Sequence, residues 1–153
     1  LYNLEELKHD VLQKILSEHA GENSAITQLE LCHYYFDPYP IRYEDRALIS
    51  NILQEARGIM QDHGWFLDWK PGKGWFAVIT NEEAVDHLLR YTKREIRLHG
   101  RLQKKAHIAT GNRYLVSSDH PLIEGIHGVT PAIQQLEEAV KQLEEGHEDE
   151  NQD

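Results

Sequence analysis

The chain has 153 residues, of which 40% are hydrophobic and 27% are charged, and its formal net charge is −10. This apolar content is enough for a packed core, which excludes a wholly disordered chain. No apolar run approaches the roughly 18 residues of a membrane-spanning helix, so we expect no contact with a membrane.

Cysteine and histidine usage limits the chemistry that the sequence supports. Cys32 is the sole cysteine, so the chain forms no internal disulfide and fits a reducing compartment, which predicts a cytoplasmic location. The 10 histidines match no zinc-ligand spacing, and no phosphate loop or nucleophile motif is present. We therefore expect no metal, no cofactor and no enzymatic activity. An active site built from residues distant in sequence stays open as the weakest alternative.

Charge is distributed unevenly along the chain. Residues 1–89 carry 7 basic and 15 acidic side chains, a net −8, and residues 90–113 carry 8 basic and 1 acidic. Residues 131–153 carry 1 basic and 8 acidic. A basic block between two acidic segments indicates an interaction surface.

Capping signatures mark the starts of most of the predicted helices. A capping side chain is followed three residues later by Glu at Asn3, Thr27 and Thr80, which marks three helix starts. A further helix begins near Tyr43, and Gly64 is its stop signal. The predicted helices span residues 4–20, 28–35, 43–64 and 80–106.

The third of these helices has two chemically distinct faces. At about 100° per residue, one arc is apolar and is expected to face the core. That arc holds Leu48, Ile49, Ile52, Leu53, Ala56, Ile59, Met60 and His63. A second arc carries no carboxylate and consists of Arg46, Ser50, Gln54, Arg57 and Gln61. A solvated polar face is common on any helix, but the lack of acid is notable in a chain with 26 acidic residues.

Residues 65–79, WFLDWKPGKGWFAVI, predict a β-hairpin. Pro71-Gly72 fits the two central positions of a type II turn, which places Lys70 and Lys73 at the tip. The alternation of polar and apolar residues predicts which side chains face the core. These are Trp65, Leu67, Trp69, Trp75, Ala77 and Ile79.

Basic side chains repeat along the fourth helix at spacings of four and three, which places them on one face. This basic stripe consists of Arg90, Arg94, Arg97, Arg101 and Lys104. Contact with nucleic acid, pairing with an acidic partner helix, and simple solvation all remain open for it.

The last third of the chain is rich in Gly, Ser, Asn and Pro, so residues 107–129 are expected to form an irregular connector with a short strand at 114–116. Thr130-Pro131 is a cap followed by Pro, which predicts a helix over 130–146. The acidic residues 147–153 are expected to be disordered. Heptad-spaced apolar residues on the last helix predict a contact with another helix or a second copy. They are Ile133, Leu136, Val140 and Leu143.

The order of three helices, a hairpin and a fourth helix resembles that of winged helix-turn-helix domains, in particular small winged-helix proteins of bacteriophages and prophages. The resemblance covers residues 4–105 and rests on the polar-striped helix, the HGW and GWF motifs around a Gly-tipped turn, and TNEEA opening the next helix. It implies a mainly α fold with a small β-hairpin (α+β). A winged-helix domain over 1–80 would be followed by a long basic helix over 81–106 and the C-terminal heptad helix.

In such domains the third helix enters the major groove of duplex DNA and the wing contacts the phosphate backbone. The resemblance therefore assigns Arg46, Ser50, Gln54, Arg57 and Gln61 to base contacts, and Lys70 and Lys73 to phosphates. It predicts a DNA-binding regulator or replication accessory of phage type in a bacterial host cell, with a homodimer left open.

The net charge of residues 1–89 keeps a second hypothesis open, because carboxylates repel phosphate. In that alternative, the chain is an acidic winged-helix interaction module. It would bind and inhibit or recruit a host or phage protein, for example transcription or defence machinery.

Overall fold

A computed structural model describes residues 3–111 and 114–150, with side chains through residue 146. These residues form five α-helices, one short 3₁₀ helix and a two-stranded antiparallel sheet, which confirms the predicted mainly α-helical fold with a small hairpin. The chain divides into two compact units, and the boundary follows His87, inside the fourth helix. The elements are α1 Leu4–Glu18, the 3₁₀ helix Glu22–Ser24, α2 Gln28–Phe36, α3 Tyr43–Asp62, β1 Leu67–Lys70, β2 Gly74–Ala77, α4 Asn81–Thr110 and α5 Pro121–Glu150.

The capping signatures predict the helix starts well. At Thr27 both reciprocal bonds with Glu30 form, and at Thr80 the hydroxyl accepts the backbone N–H of Glu83 at 3.1 Å. Asn3 also caps its helix, but its side chain accepts from the backbone N–H of Glu5 at 3.0 Å. Each bond satisfies a donor that the first helical turn leaves without an intrahelical acceptor.

The core of the first unit lies between α1, α2, α3 and one face of the hairpin. Apolar side chains from these four elements form one buried cluster. Cys32 belongs to it, and burial raises the pKa of its thiol. The predicted inner arc of α3 is confirmed from Ile49 to Met60 except at Ile59, which is exposed, and it is also wrong at His63, which is exposed. His63 is the C-cap of α3, beyond the part of the helix that the core covers.

The hairpin is attached to the chain between α1 and α2 by backbone pairing. The N–H of Ile26 donates to the carbonyl of Trp75 at 2.9 Å, and the N–H of Trp75 donates back at 2.7 Å. Gly74 lies beside this pair, and a β-carbon there would stand 2.3 Å from the carbonyl oxygen of Ile26. Gly74 also has φ +109°, a conformation that residues with a side chain rarely adopt. A glycine is therefore required for the hairpin to approach this closely.

The predicted orientation of the hairpin side chains is only partly correct. Leu67, Trp75 and Ala77 face the core as expected, whereas Trp65, Trp69 and Ile79 are exposed at 47%, 44% and 56%. The opposite face is buried as well, since all four residues of β2 are buried. Strand alternation shows which side chains share a face, but a sheet covered on both sides removes the polar signal that identifies the buried one.

The other face of the hairpin holds a buried polar pair that the sequence did not reveal. Asp68 and His87 are 2% and 4% exposed, and Nδ1 of His87 lies 3.3 Å from Oδ1 of Asp68. The ring of Phe66 stacks on His87 with centroids 4.8 Å apart, and Phe76 is fully buried. Asp68 appeared to mark a solvent-facing side, but His87 gives its carboxylate a polar partner inside the protein.

The second unit contains the rest of α4 and the whole of α5. The predicted connector over 107–129 is too long, because α4 continues to Thr110 and α5 begins at Pro121. Residues 114–116 form no strand. Helix α5 also runs through residues 147–150, which were expected to be disordered, while residues 151–153 lie outside the described part of the chain.

The early start of α5 has a local cause and a tertiary one. His120-Pro121 supplies the same cap-then-proline arrangement that the sequence shows at residues 130–131, and Nδ1 of His120 accepts the backbone N–H of Leu122 at 3.1 Å. Ile123 and Ile126 are buried with Ala106 in a small core between the two helices. Thr130, predicted as a cap, lies inside α5, where its hydroxyl accepts from the amide of Gln103 at 2.6 Å.

Gly74→Ala is expected to destabilise the protein by roughly 3 kcal/mol, because the new β-carbon must displace the backbone of Ile26 and the alanine must keep a positive φ. Gly72→Ala is the matched control, since Gly72 has φ +77° but open space around it. Its expected cost is only about 1–2 kcal/mol. Urea unfolding followed by tryptophan fluorescence measures both. Equal losses would contradict a steric role for Gly74.

Candidate nucleic-acid interface

The polar face of α3 is largely available to solvent. Arg46, Gln54 and Gln61 are exposed, and Ser50 is half-buried. Within the described residues Arg46 forms no side-chain ion pair, and its backbone carbonyl accepts from the side-chain amide of Gln28 at 2.9 Å. Apart from Arg57, the polar face of α3 therefore presents one guanidinium, one hydroxyl and two amides.

Arg57 differs from the rest of this face. It is half-buried, and its guanidinium lies 5.1 Å from the ring centroid of Trp75 on β2. Its Nη1 also donates to Oε1 of Gln54 at 3.5 Å. A cation over an indole ring is attracted to the ring's negative face, so Arg57 links α3 to the hairpin. Of the two arginines assigned to base contacts, Arg46 is the one that extends freely from the protein.

The two lysines at the hairpin tip have acidic partners. Lys70 lies 3.0 Å from Glu22 and 3.0 Å from Asp86, and Lys73 lies 2.9 Å from the other oxygen of Glu22. The hydrogen bond from Lys73, followed by that from Lys70, lowers the pKa of Glu22. Burial alone would lower the pKa of Lys70, but its carboxylate partners raise it. Two lysines and two carboxylates leave no net charge at the tip.

Glu83 connects the segment after α1 to the start of α4. Its Oε2 accepts the backbone N–H of Glu22 at 2.9 Å, and its Oε1 accepts those of Ile79 and Thr80 at 3.0 and 3.4 Å. Burial would raise the pKa of this carboxyl, but the three backbone N–H donors outweigh burial and lower it. Glu83 thus fixes the position of Glu22, which in turn holds both tip lysines.

The basic stripe of α4 presents four exposed cations. Arg94, Arg97, Arg101 and Lys104 are exposed, and none of the four forms an ion pair within the described part of the chain. Arg90 is half-buried. The ion pair between α4 and α5 is made instead by Lys93 with Glu144. Lys93 is not one of the predicted stripe residues, so within the described part of the chain the acidic helix leaves Arg94, Arg97, Arg101 and Lys104 without an ion pair.

The four predicted contact residues of α5 fall into two groups. Ile133 and Val140 are half-buried, whereas Leu136 and Leu143 are 39% and 42% exposed. Heptad spacing alone does not separate them, because it places all four on one broad face.

The described residues contain neither a metal-binding cluster nor a membrane-spanning helix. No group of three or more His, Cys, Asp or Glu side chains there is arranged to hold a metal ion. Among the helices that the structure describes, none combines the length and the apolar content that crossing a bilayer requires.

Comparison with known proteins gives no relative from which a function can be transferred. The chain matches no protein-family model, no curated protein and no solved structure.

The low pKa of Glu83 predicts an acid-sensitive fold. A carboxyl whose pKa is lower in the folded than in the unfolded chain stabilises the fold above its ordinary value of 4.5 and loses that effect as the pH falls below it. Glu83→Gln should therefore cost about 1–2 kcal/mol at pH 7, and this difference should shrink as the pH falls below 4.5.

Urea unfolding across a pH series measures this difference. Glu82→Gln is the control, because Glu82 is exposed and accepts none of the three backbone bonds. A Glu83→Gln penalty that stays constant from neutral to acidic pH would show that the charge of Glu83 is unimportant.

Proposed function

We propose that this chain is a winged-helix protein that binds duplex DNA, and that α4 supplies most of its attraction to phosphate. The order of α1, α2, α3, hairpin and α4 supports the winged-helix assignment. The backbone pairing of Ile26 with Trp75 adds support, because it attaches the hairpin to the three-helix core as a wing. A phage or prophage regulator or replication accessory is the role that the resemblance implies for such a domain.

The observation that carries this proposal is the unpaired cationic face of α4. Arg94 and Lys104 are ten residues apart, which corresponds to about 15 Å along a helix. Each DNA strand carries one phosphate per about 3.4 Å of helix axis, so four exposed cations over about 15 Å can neutralise several phosphates. Their side chains are long and exposed, and no described carboxylate competes for them.

The polar face of α3 would then provide the sequence-dependent contacts. Arg46 can donate two parallel hydrogen bonds to a guanine edge, and Gln54 and Gln61 can each donate to N7 of adenine and accept from its N6 amino group. The wing would have a smaller role than the resemblance implies, because Lys70 and Lys73 are already bound to Glu22 and Asp86. Arg57 would position the wing against α3 through Trp75.

The neutral wing tip also favours the second candidate, an acidic module that binds another protein. Trp65 and Trp69 are both nearly half exposed on the hairpin, and tryptophan is enriched at protein interfaces. In this case the surface of the first unit would be the contact, and duplex DNA would not bind with the salt dependence that phosphate neutralisation requires.

The first test is a DNA titration by fluorescence anisotropy across a range of salt concentrations. Removing two stripe cations with Arg97→Gln and Arg101→Gln should weaken binding at least about tenfold and reduce the slope of log affinity against log salt by about 2. The matched control is Lys8→Gln with Lys141→Gln, because these lysines are ion-paired with Glu55 and Glu145.

The control variant loses the same formal charge, so it separates a local contact from a general field effect. Equal effects of the two double variants would contradict a role for the stripe itself. No binding to duplex DNA, or binding that does not change with salt, would exclude the DNA proposal and favour the protein-binding alternative.

The second test addresses base reading by α3. Arg46→Ala should reduce discrimination between a duplex selected from a randomised pool and an unrelated duplex by about 1–3 kcal/mol, with little change in non-specific affinity. Competition titrations measure both quantities, and Arg42→Ala is the control because Arg42 pairs with Asp45 at the start of α3. A uniform loss on all sequences would assign Arg46 to phosphate contact instead.

A further inference from the structure

The apolar repeat of α5 is longer than the repeat in residues 130–146, because the helix begins at Pro121. With the spacing of three and four residues that coiled coils use, it extends back to Leu122 and divides into two rows. The inner row is Ile126, Ile133 and Val140. The outer row is Leu122, Val129, Leu136 and Leu143.

The inner row already has a partner within the chain. Ile126 is buried against Ala106 of α4, and Ile133 and Val140 are half-buried. Between them, Thr130 bonds to Gln103 and lies 3.4 Å from the ring of His99, which is buried. This side of α5 therefore packs on α4 within the same chain.

The outer row has no such cover. Leu122, Val129, Leu136 and Leu143 are exposed by 39% to 66%. Helix α4 adds exposed Leu102, which lines the same groove of about 590 Å³ as Leu122 and so lies on the same side of the helix pair. The positions on α5 beside the outer row are uncharged and small, including Gly125, Gly128, Ala132 and Ala139. Small residues allow another helix to approach closely.

The charges of the two helices are complementary. Residues 88–110 carry seven basic side chains and one acidic, whereas residues 121–146 carry five acidic and one basic. A copy turned by a two-fold axis so that its α5 lies beside α4 would place a net acidic helix against a net basic one.

We propose that the outer row binds a second copy of this chain, so that two helix pairs form a four-helix bundle in which α5 packs beside α4 of the other copy. From Leu122 to Leu143 the row is about 30 Å long, and two adjacent helices are about 20 Å wide. This gives about 600 Å² per copy, close to the roughly 800 Å² that a stable interface takes from each partner. The small core within one copy, which buries Ala106, Ile123 and Ile126, is extended by the same contact.

The test is the mass of the full chain by sedimentation equilibrium at micromolar concentration. The expected mass is about twice 17.8 kDa. Val129→Glu with Leu136→Glu should raise the dimer dissociation constant by about 100-fold or more, because the dimer would have to bury unpaired carboxylates. His127→Glu with Gln134→Glu adds the same charge at exposed positions on the side of α5 away from the outer row and should leave the dimer unchanged.

Far-UV circular dichroism shows whether each variant keeps its helices. If the glutamate variant loses helix, Val129→Ala with Leu136→Ala takes its place and should weaken the dimer at least about tenfold. A wild-type chain that sediments as a monomer would overturn the proposal. A dimer that both row variants leave intact would overturn it as well.

Salt tests the arrangement of the helices. If the net acidic α5 of one copy packs beside the net basic α4 of the other, added salt should weaken the dimer. A dimer that strengthens with salt would place like-charged helices together and contradict the α4–α5 packing.

Discussion

The first unit depends on the backbone pairing between Ile26 and Trp75. A hairpin of two four-residue strands is marginal on its own, so it needs a third element to hold it. The segment between α1 and α2 supplies that element with two reciprocal hydrogen bonds, and Gly74 leaves the space in which the two backbones meet. Once the hairpin is fixed, Leu67, Trp75 and Ala77 complete the core, and Arg57 of α3 lies over the ring of Trp75.

The same attachment explains which charged side chains of the first unit form ion pairs. Holding the hairpin against the segment after α1 brings Lys70 and Lys73 to Glu22, and the start of α4 brings Asp86 and Glu83. The tip is consequently neutral, although the sequence presents it as a lysine-rich wing. Most of the accessible positive charge lies on α4, beyond His87, in a unit with a separate small core.

Helices α4 and α5 show how a heptad pattern can serve two purposes. The inner row of α5 is satisfied within the chain, and a polar contact among His99, Gln103 and Thr130 lies between its apolar residues. Buried polar contacts of this kind restrict the register of two helices, because a shifted pairing leaves the donors without acceptors. The outer row and the basic stripe remain on the surface, where they can serve assembly and binding separately.

The sequence by itself determined the elements that depend on local signals. The caps at Thr27 and Thr80, the helix over Tyr43–Asp62 and the turn at Gly72 follow from side chains that bond to their own neighbourhood or from a glycine that tolerates positive φ. The two faces of α3 followed from periodicity, except at its C-terminal end. These features require no knowledge of distant residues.

Only the tertiary structure decided which of these residues have partners. Glu22 is 48 residues from Lys70, and Asp68 is 19 residues from His87, so neither pairing leaves a trace in a local pattern. The region over 107–129 was predicted as a connector because its Gly and Ser suggest a loop, yet Ile123 and Ile126 are helical since they bury against Ala106. Propensity is worth less than about 1 kcal/mol per residue, and packing between helices outweighs it.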